Sequence, residues 1–247
     1  MVFNKITNIL LFPIYHLIHR NRFFGYVHKK FIKNFYFKKY KFYLDERFIP
    51  LENYSSFLFK TYEYNDRVLV EKNLNEKNKC IIIGGGIGFI ATLSYYLTKK
   101  KIIVLEINKK IISNLQKNLK TNNCIFKLFS NNLTINSNNK YKTFYLSNDF
   151  LDTTSKQKTK KKISVKNINY DKIDKNHSYN TLIIDAEGDE EYYIKSLKRL
   201  KNIKYLYFEL HYNIFNNNQI NDLMNILKNN KFILKDKCFN SFYFVRK

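Results

Sequence analysis

A chain of 247 residues can bury one sizeable core, so the expectation is a single domain with a short extension. Hydrophobic residues make up 45% and aromatics 17% of it, which excludes an intrinsically disordered protein. The formal net charge of +24 comes from 44 Lys and Arg against 20 Asp and Glu. The excess is mostly lysine scattered among asparagine and isoleucine, so it reads as a generally solvated surface, and no specific nucleic-acid partner is expected.

At the N-terminus, residues 6–18 are apolar but interrupted by Asn8, Pro13, Tyr15 and His16. The run is shorter than the roughly 20 residues a span needs and carries no small-residue cleavage site, so it reads as neither a membrane span nor a signal peptide. Over residues 20–43, Arg22, Lys29, Lys30, Lys33, Lys38 and Lys39 alternate with Phe23, Phe24, Tyr26, Phe31, Phe35, Tyr36 and Phe37. Such a mixture fits an arm lying at a membrane interface, and it fits an amphipathic helical arm packed over the catalytic domain. The texture changes near residue 62, which sets the expected boundary: a basic aromatic extension over 1–61 and the domain proper over 62–247.

Within that domain, the apolar run 81–83 leads straight into glycines, the pattern of a buried parallel strand ending at a ligand-binding turn. A helix follows over 89–98 and a strand over 102–105. Residues 108–120 form an amphipathic helix with Ile111, Ile112, Leu115 and Leu119 on one face, and 124–129 a third strand. The βαβαβ order marks a doubly wound sheet. Over 130–175 the signal weakens into asparagine, serine and lysine, with strand-like islands at 141–146 and 163–168 and an exposed basic loop at 156–162. Regularity returns with a strand at 181–184, a helix at 190–200, a strand at 205–210 and a helix at 217–228. Two closing strands, 232–234 and 242–245, form an antiparallel hairpin joined near Asp236. The expected fold is therefore α/β, a Rossmann-like, mostly parallel sheet with an antiparallel C-terminal hairpin. Cys80, Cys124 and Cys238 have no metal-type spacing, and their odd number argues against a disulfide framework, which fits a reducing cytoplasm.

Three places carry chemistry. Gly84, Gly86 and Gly88, between a strand and a helix, permit tight backbone passage and close approach of a ligand near helix N-terminal amides. Their spacing is tighter than the dinucleotide pattern, and Glu106 at the end of the second strand can accept both hydroxyl protons of a ribose. Asp185 and Glu187 follow a buried strand at the ligand-binding edge of an open sheet, where an acid without a partner would be costly. Asp189 and Glu190 read as first-turn helix charges. His211, just past Glu209 on the next strand, is a candidate general base.

From about Tyr62 to the C-terminus these residues resemble the FkbM family of methyltransferases. Tyr62 and Glu63 resemble the tyrosine-glutamate pair ahead of the family's cofactor motif. Residues 83–88 are similar to its Gly-Ala-Asn-x-Gly turn, with Glu106 matching the acid after the second strand. The segment 185–190 resembles its Asp-Val-Glu-Gly-Ala-Glu motif, and 208–211 and 244–247 its later and closing strands. Ile82 stands where the family typically has aspartate, and Gly86 where it has asparagine. The resemblance implies a class I methyltransferase fold and transfer of a methyl group from S-adenosyl-L-methionine to an oxygen, in many relatives of a sugar or other small-molecule hydroxyl. It implies cofactor contacts from Glu63, Gly84, Gly86, Gly88 and Glu106, and a base among Asp185, Glu187 and His211. No metal is called for. A catalytically lapsed binding module and an RNA methyltransferase are the alternatives. The acceptor pocket is expected from the loops of 130–175 and the N-terminal arm.

Overall fold

The computed structural model describes residues 21–135, 137–146, 153–156 and 161–247. The apolar run at 6–18 and the middle of the basic loop at 156–162 lie outside these residues. The chain divides into two compact units, one ending at Tyr64 and one running from Asn65 to Lys247. Among the described residues, no helix is long and apolar enough to cross a membrane.

In the N-terminal unit only the first part of the expected arm is helical. Helix α1 (Arg22–Phe31) is capped by the Asn21 side chain, which accepts the N–H groups of Phe23 and Phe24. It is followed by an antiparallel hairpin, β1 (Asn34–Phe37) and β2 (Tyr40–Tyr43), and by α2 (Asn53–Leu58). The aromatics here alternate with a period of two: Phe35 and Phe37 are buried, while Tyr36 between them is exposed. Phe35 faces Phe42 across the hairpin with ring centroids 5.5 Å apart, and Phe57 of α2 lies tilted against Phe35 at 5.2 Å. That pairing overrides the helical arm expected from the basic-aromatic mixture.

The C-terminal unit starts with α3 (Tyr64–Asn73) and alternates β3 (Cys80–Ile83), α4 (Phe89–Thr98), β4 (Ile102–Leu105), α5 (Lys109–Thr121) and β5 (Phe126–Phe129). After a second sheet come β10 (Thr181–Ile184), α7 (Glu190–Lys195), β11 (Tyr205–Glu209), α8 (Asn217–Asn229), β12 (Phe232–Cys238) and β13 (Ser241–Arg246). The main sheet has seven strands in the order β12-β13-β11-β10-β3-β4-β5. Six of them, β12 included, run in one direction, and β13 alone runs antiparallel, between β11 and β12 near one edge. Every residue of β3, β4 and β10 is buried, because both faces of the sheet are covered. This is the mostly parallel, doubly wound sheet with an antiparallel C-terminal hairpin that the sequence predicts. One face packs Ile81, Ile83, Ile103, Leu105, Leu182 and Ile184 into a core shared with Leu223 and Leu227 of α8.

Three details depart from expectation. The weak region 130–175 folds into a second sheet in which β6 (Asn132–Thr134), β9 (Lys161–Asn169), β7 (Tyr141–Leu146) and β8 (Thr153–Thr154) are neighbours in that order. A four-residue helix, α6 (Tyr170–Ile173), follows it. The helix expected to reach residue 200 ends at Lys195, and 196–200 continue as tighter turns in which Arg199 N–H donates to the Ser196 carbonyl and Leu200 N–H to that of Leu197. Leu197 and Leu200 stay buried, so the helical spacing persists without the α-helix. Finally, Asp236 does not join the closing strands but lies inside β12 beside a register shift. There it pairs with Lys72 and accepts from Asn73, while the turn falls at Phe239 (φ 49°) and Asn240.

Candidate functional site

The chain leaves β3 toward β4 and β5, then returns to place β10 on the other side of β3, so loops leaving the carboxyl ends of β3 and β10 diverge. Open α/β sheets bind ligands at that switch point. Here it holds a cleft of about 460 Å³, counting the space that opens to solvent. Its walls are Ile83, Gly84, Leu105, Glu106 and Ile107 from the β3 and β4 ends, Asn131, Asn132, Leu133 and Phe144 from the second sheet, and Asp185, Ala186, Glu187, Asp189 and Tyr193 from the β10–α7 turn. Four of these, Asn131, Asn132, Leu133 and Phe144, come from the stretch 130–175.

The glycine turn is shaped by packing as well as by room for a ligand. At Gly84 (φ 88°) a Cβ would fall 1.8 Å from the Asp185 carbonyl oxygen, and at Gly85 it would meet Leu115 and Val104 at 2.7 and 2.8 Å. Gly88 (φ 90°) caps α4 and lies against Leu115. Gly84 lines the cleft, whereas Gly86 and Gly88 do not. Gly86 (φ 50°) instead donates its N–H to Glu106 Oε2 at 3.1 Å, and Asn108 N–H donates to Oε1 at 2.7 Å. Glu106 is thus a buried carboxylate fixed by backbone at the rim of the cleft. Burial pushes its pKa up, and the N–H groups of Asn108, Gly86, Gly85 and Ile107 oppose that rise. Ile82 is buried in the sheet between Val104 and Ile183. Glu63, in left-handed backbone at φ 46°, belongs to the N-terminal unit.

The second cluster draws the three candidate catalytic residues together. His211 Nε2 lies 3.1 Å from Glu187 Oε2 and 3.7 Å from Asp185 Oδ1, and its Nδ1 lies 3.3 Å from Glu190 Oε1. Two backbone features produce this. Glu187 adopts φ 47° and Gly188 φ 102°, which curls the turn back on itself, a strained arrangement for Glu187. Glu190, wholly buried, then ties the curl by accepting the N–H of Ala186 at 2.9 Å and of Gly188 at 2.8 Å. Burial disfavours charge on His211, but hydrogen bonding to Glu187 and Glu190 and the nearby Asp185 charge outweigh it and push its pKa up to about 12. The imidazole is therefore a cation at neutral pH. Burial, with Glu209 and Glu187 adding to it, raises the Asp185 carboxyl well above its ordinary range, against the pull of His211. Glu209 is raised by burial and held back by His211 and Asn240.

Several contributors gave no distinctive signal in sequence. Asp66 of α3 hydrogen-bonds Glu209, and Asn240, at the hairpin turn, donates to Glu209 Oε1 at 2.5 Å while accepting from Asn65 at 2.8 Å. Lys142 of β7 pairs with Asp189 at 2.6 Å, and Ser155 donates to the same carboxylate. These partners lie 31 to 175 residues apart in the chain, so no local pattern joins them. Glu190 and Asp189 do occupy the helix start, as their spacing predicts, but both are buried and organise the turn. Asp185, Glu209 and His211 each offer one ligand atom within 4.8 Å of the others, a set able to surround a divalent cation if His211 gave up its proton.

No family model matches the chain, and no curated protein matches its sequence. Among solved structures, it is similar to a methyltransferase from Pyrococcus furiosus at 11% identity and a TM-score of 0.49, covering 92% of this chain and 96% of that one. It is similar to precorrin-6y C5,15-methyltransferase from Geobacter metallireducens at 12% identity and a TM-score of 0.46, covering 83% and 92%. TYW2 of Pyrococcus horikoshii, in complex with MeSAdo, aligns at 11% identity and a TM-score of 0.45, covering 86% and 68%. At such identities and TM-scores these likenesses say nothing about the ligand or activity of this chain.

Proposed function

We propose that the chain is an S-adenosyl-L-methionine-dependent O-methyltransferase acting on a small hydroxyl compound, a sugar or glycan in keeping with its resemblance to the FkbM family. The observation that carries this reading is the charge of the cleft. In a chain of net charge +24, the switch-point cleft is lined by Glu106, Asp185, Glu187 and Asp189, against which stand Lys142, paired with Asp189, and the single His211 cation facing Asp185 and Glu187, so carboxylates outnumber cations. Such a site repels nucleic-acid phosphates and favours a cationic ligand such as a sulfonium. The other parts fit the same cofactor. Glu106 stands where a carboxylate can accept the two ribose hydroxyls, Ile107 and Leu133 supply apolar walls for a purine, and Gly84 brings main chain to the edge of the cleft.

When bound, the cofactor supplies an electrophilic methyl group, which an acceptor oxygen can attack in line. The protein's part is to align that oxygen and take its proton. His211 is already a cation and serves to hold Asp185 and Glu187 in place. The base is then a carboxylate, and Asp185 is the better placed, since 36% of its side chain is open toward solvent while one oxygen faces the cluster without a hydrogen bond. A carboxyl raised by burial is a stronger base once ionised. The buried Ile82 supports a second reading, a lapsed module that binds cofactor without transferring methyl.

Isothermal titration with S-adenosyl-L-methionine tests the cofactor, and transfer of a labelled methyl group to a cell-envelope extract tests the reaction. Binding that Glu106→Ala weakens on the order of 100-fold, with transfer that Asp185→Asn abolishes, is the expected result. Binding without transfer selects the lapsed module, and absence of binding rejects both.

A further inference from the structure

Helix α1 is amphipathic in the opposite sense to a helix that serves only its own core. Its inner side is Gly25 and His28: a Cβ at Gly25 would fall 2.0 Å from the Leu51 carbonyl oxygen, and the His28 ring lies 5.6 Å from that of Tyr54. Its outer side is aromatic. Phe23, Tyr26 and Phe31 are 69%, 52% and 71% exposed, and Ile32, just past the helix, is 40% exposed. At about 100° per residue, Phe23, Tyr26 and Lys30 share one arc, with Phe31 on its flank. Single exposed apolar residues are ordinary, but a contiguous group of large ones marks an interaction surface.

Cations frame this face. Lys30 Nζ lies 5.6 Å from the ring centroids of both Tyr26 and Phe31. In the following hairpin Tyr36 is exposed, with Lys41 Nζ 5.9 Å from its ring. Residues 21–44 contain seven Lys and Arg and no Asp or Glu. We propose that the N-terminal unit docks on an anionic phospholipid surface, with Phe23, Tyr26 and Phe31 entering the boundary between headgroups and acyl chains and the surrounding lysines meeting lipid phosphates. Aromatic rings are favoured at that depth, and each nearby cation adds electrostatic attraction. Single-stranded nucleic acid also engages cations and rings, but it does so by stacking bases along a basic groove. Rings spread over the convex outer face of one helix suit a lipid boundary better than stacked bases. This inference does not depend on methyl transfer.

The test is flotation of the full chain with vesicles of phosphatidylcholine containing phosphatidylglycerol, compared with phosphatidylcholine alone. The chain should partition at least roughly tenfold more strongly onto the anionic vesicles. The variant Phe23→Ser/Tyr26→Ser/Phe31→Ser should lose that binding by at least about tenfold with an unchanged circular dichroism spectrum. Because the chain has no tryptophan, Phe23→Trp places a lone indole on the face, and its emission should move to shorter wavelength when anionic vesicles are added. Full binding by the triple variant, or an indole emission that does not move, overturns the proposal. Failure to bind vesicles together with aromatic-dependent binding of single-stranded RNA overturns it in favour of nucleic acid.

Discussion

The two units of this chain carry opposite local charge. Residues 21–44 of the first contain no carboxylate, while the cleft of the second gathers Glu106, Asp185, Glu187 and Asp189 against Lys142 and the His211 cation. A net charge of +24 describes neither place. What a ligand meets is set by the few groups within about a Debye length of it, and there the cleft is anionic. Burial differs as well. The lysines of α1 and its hairpin stand in solvent against rings, whereas the acids of the cleft are partly or wholly shielded, Glu106 being fixed by backbone N–H groups and Asp189 by Lys142 and Ser155, so substitutions should be felt very unequally in the two regions.

The largest effect is expected at Glu190, whose removal frees the buried N–H of Gly188 and the partly buried N–H of Ala186 and leaves His211 with one carboxylate fewer. Glu190→Ala should cost about 3–5 kcal/mol, a fall in Tm on the order of 10 °C by calorimetry. Glu191→Ala, one residue on and paired with the exposed Lys156 and Lys195, should cost less than about 1 kcal/mol. Equal costs would show that the curl of the turn does not rest on Glu190.

Next in size is the cofactor site. If Glu106 makes two charge-assisted hydrogen bonds to a ribose, Glu106→Ala should weaken S-adenosyl-L-methionine binding by about 3 kcal/mol, on the order of 100-fold, with Glu106→Gln between it and the parent in titration calorimetry. An unchanged affinity would separate the acidic cleft from cofactor recognition.

The cluster around His211 also gives stability a pH dependence of definite sign. Its folded pKa of about 12 lies above its ordinary 6.5, so its contribution is fully present below pH 6.5 and is lost as pH rises toward 12. Asp185 and Glu209 are raised too, and tilt stability the same way from their own ordinary range upward. Urea midpoints should therefore fall between pH 7 and pH 9, and His211→Gln should flatten that slope. A midpoint that rises with pH in the parent would contradict the imidazolium assignment.

The smallest expected effect compares two lysines. Lys142→Met leaves the nearly buried Asp189 without its cation and should cost about 1 kcal/mol, whereas Lys30→Met on the outer face of α1 should change thermal stability by less than about 0.5 kcal/mol. Their difference in Tm measures how far the lysines of this chain are structural or merely solvated.

Much of the C-terminal unit could be read along the chain because its cause is local. Residues 89–98 and 102–105 form the elements their apolar spacing predicts, and Asn108 caps α5 at the expected start. Runs buried on both faces announce parallel strands, glycines after β3 announce a tight turn, and an acid at the end of β4 announces a ligand edge. The region 130–175 was opaque because its two longer strands, β7 and β9, are rich in Lys, Asn, Ser and Thr and each fully bury one side chain, Phe144 and Val165, so little apolar alternation is left to see.

The sequence by itself determined the doubly wound sheet, the glycine turn and the nearness of Asp185, Glu187 and His211 to one sheet edge, since each follows from hydrophobic period and chain order. Only the tertiary structure decided what those residues do to one another. It made His211 a cation by surrounding it with carboxylates, turned Glu190 from a helix-start charge into the tie of the turn, and brought in Asp66 and Asn240 from distant segments. Proton affinity depends on burial and on neighbours a few ångströms away in space, and neither quantity is written in the order of residues along a chain.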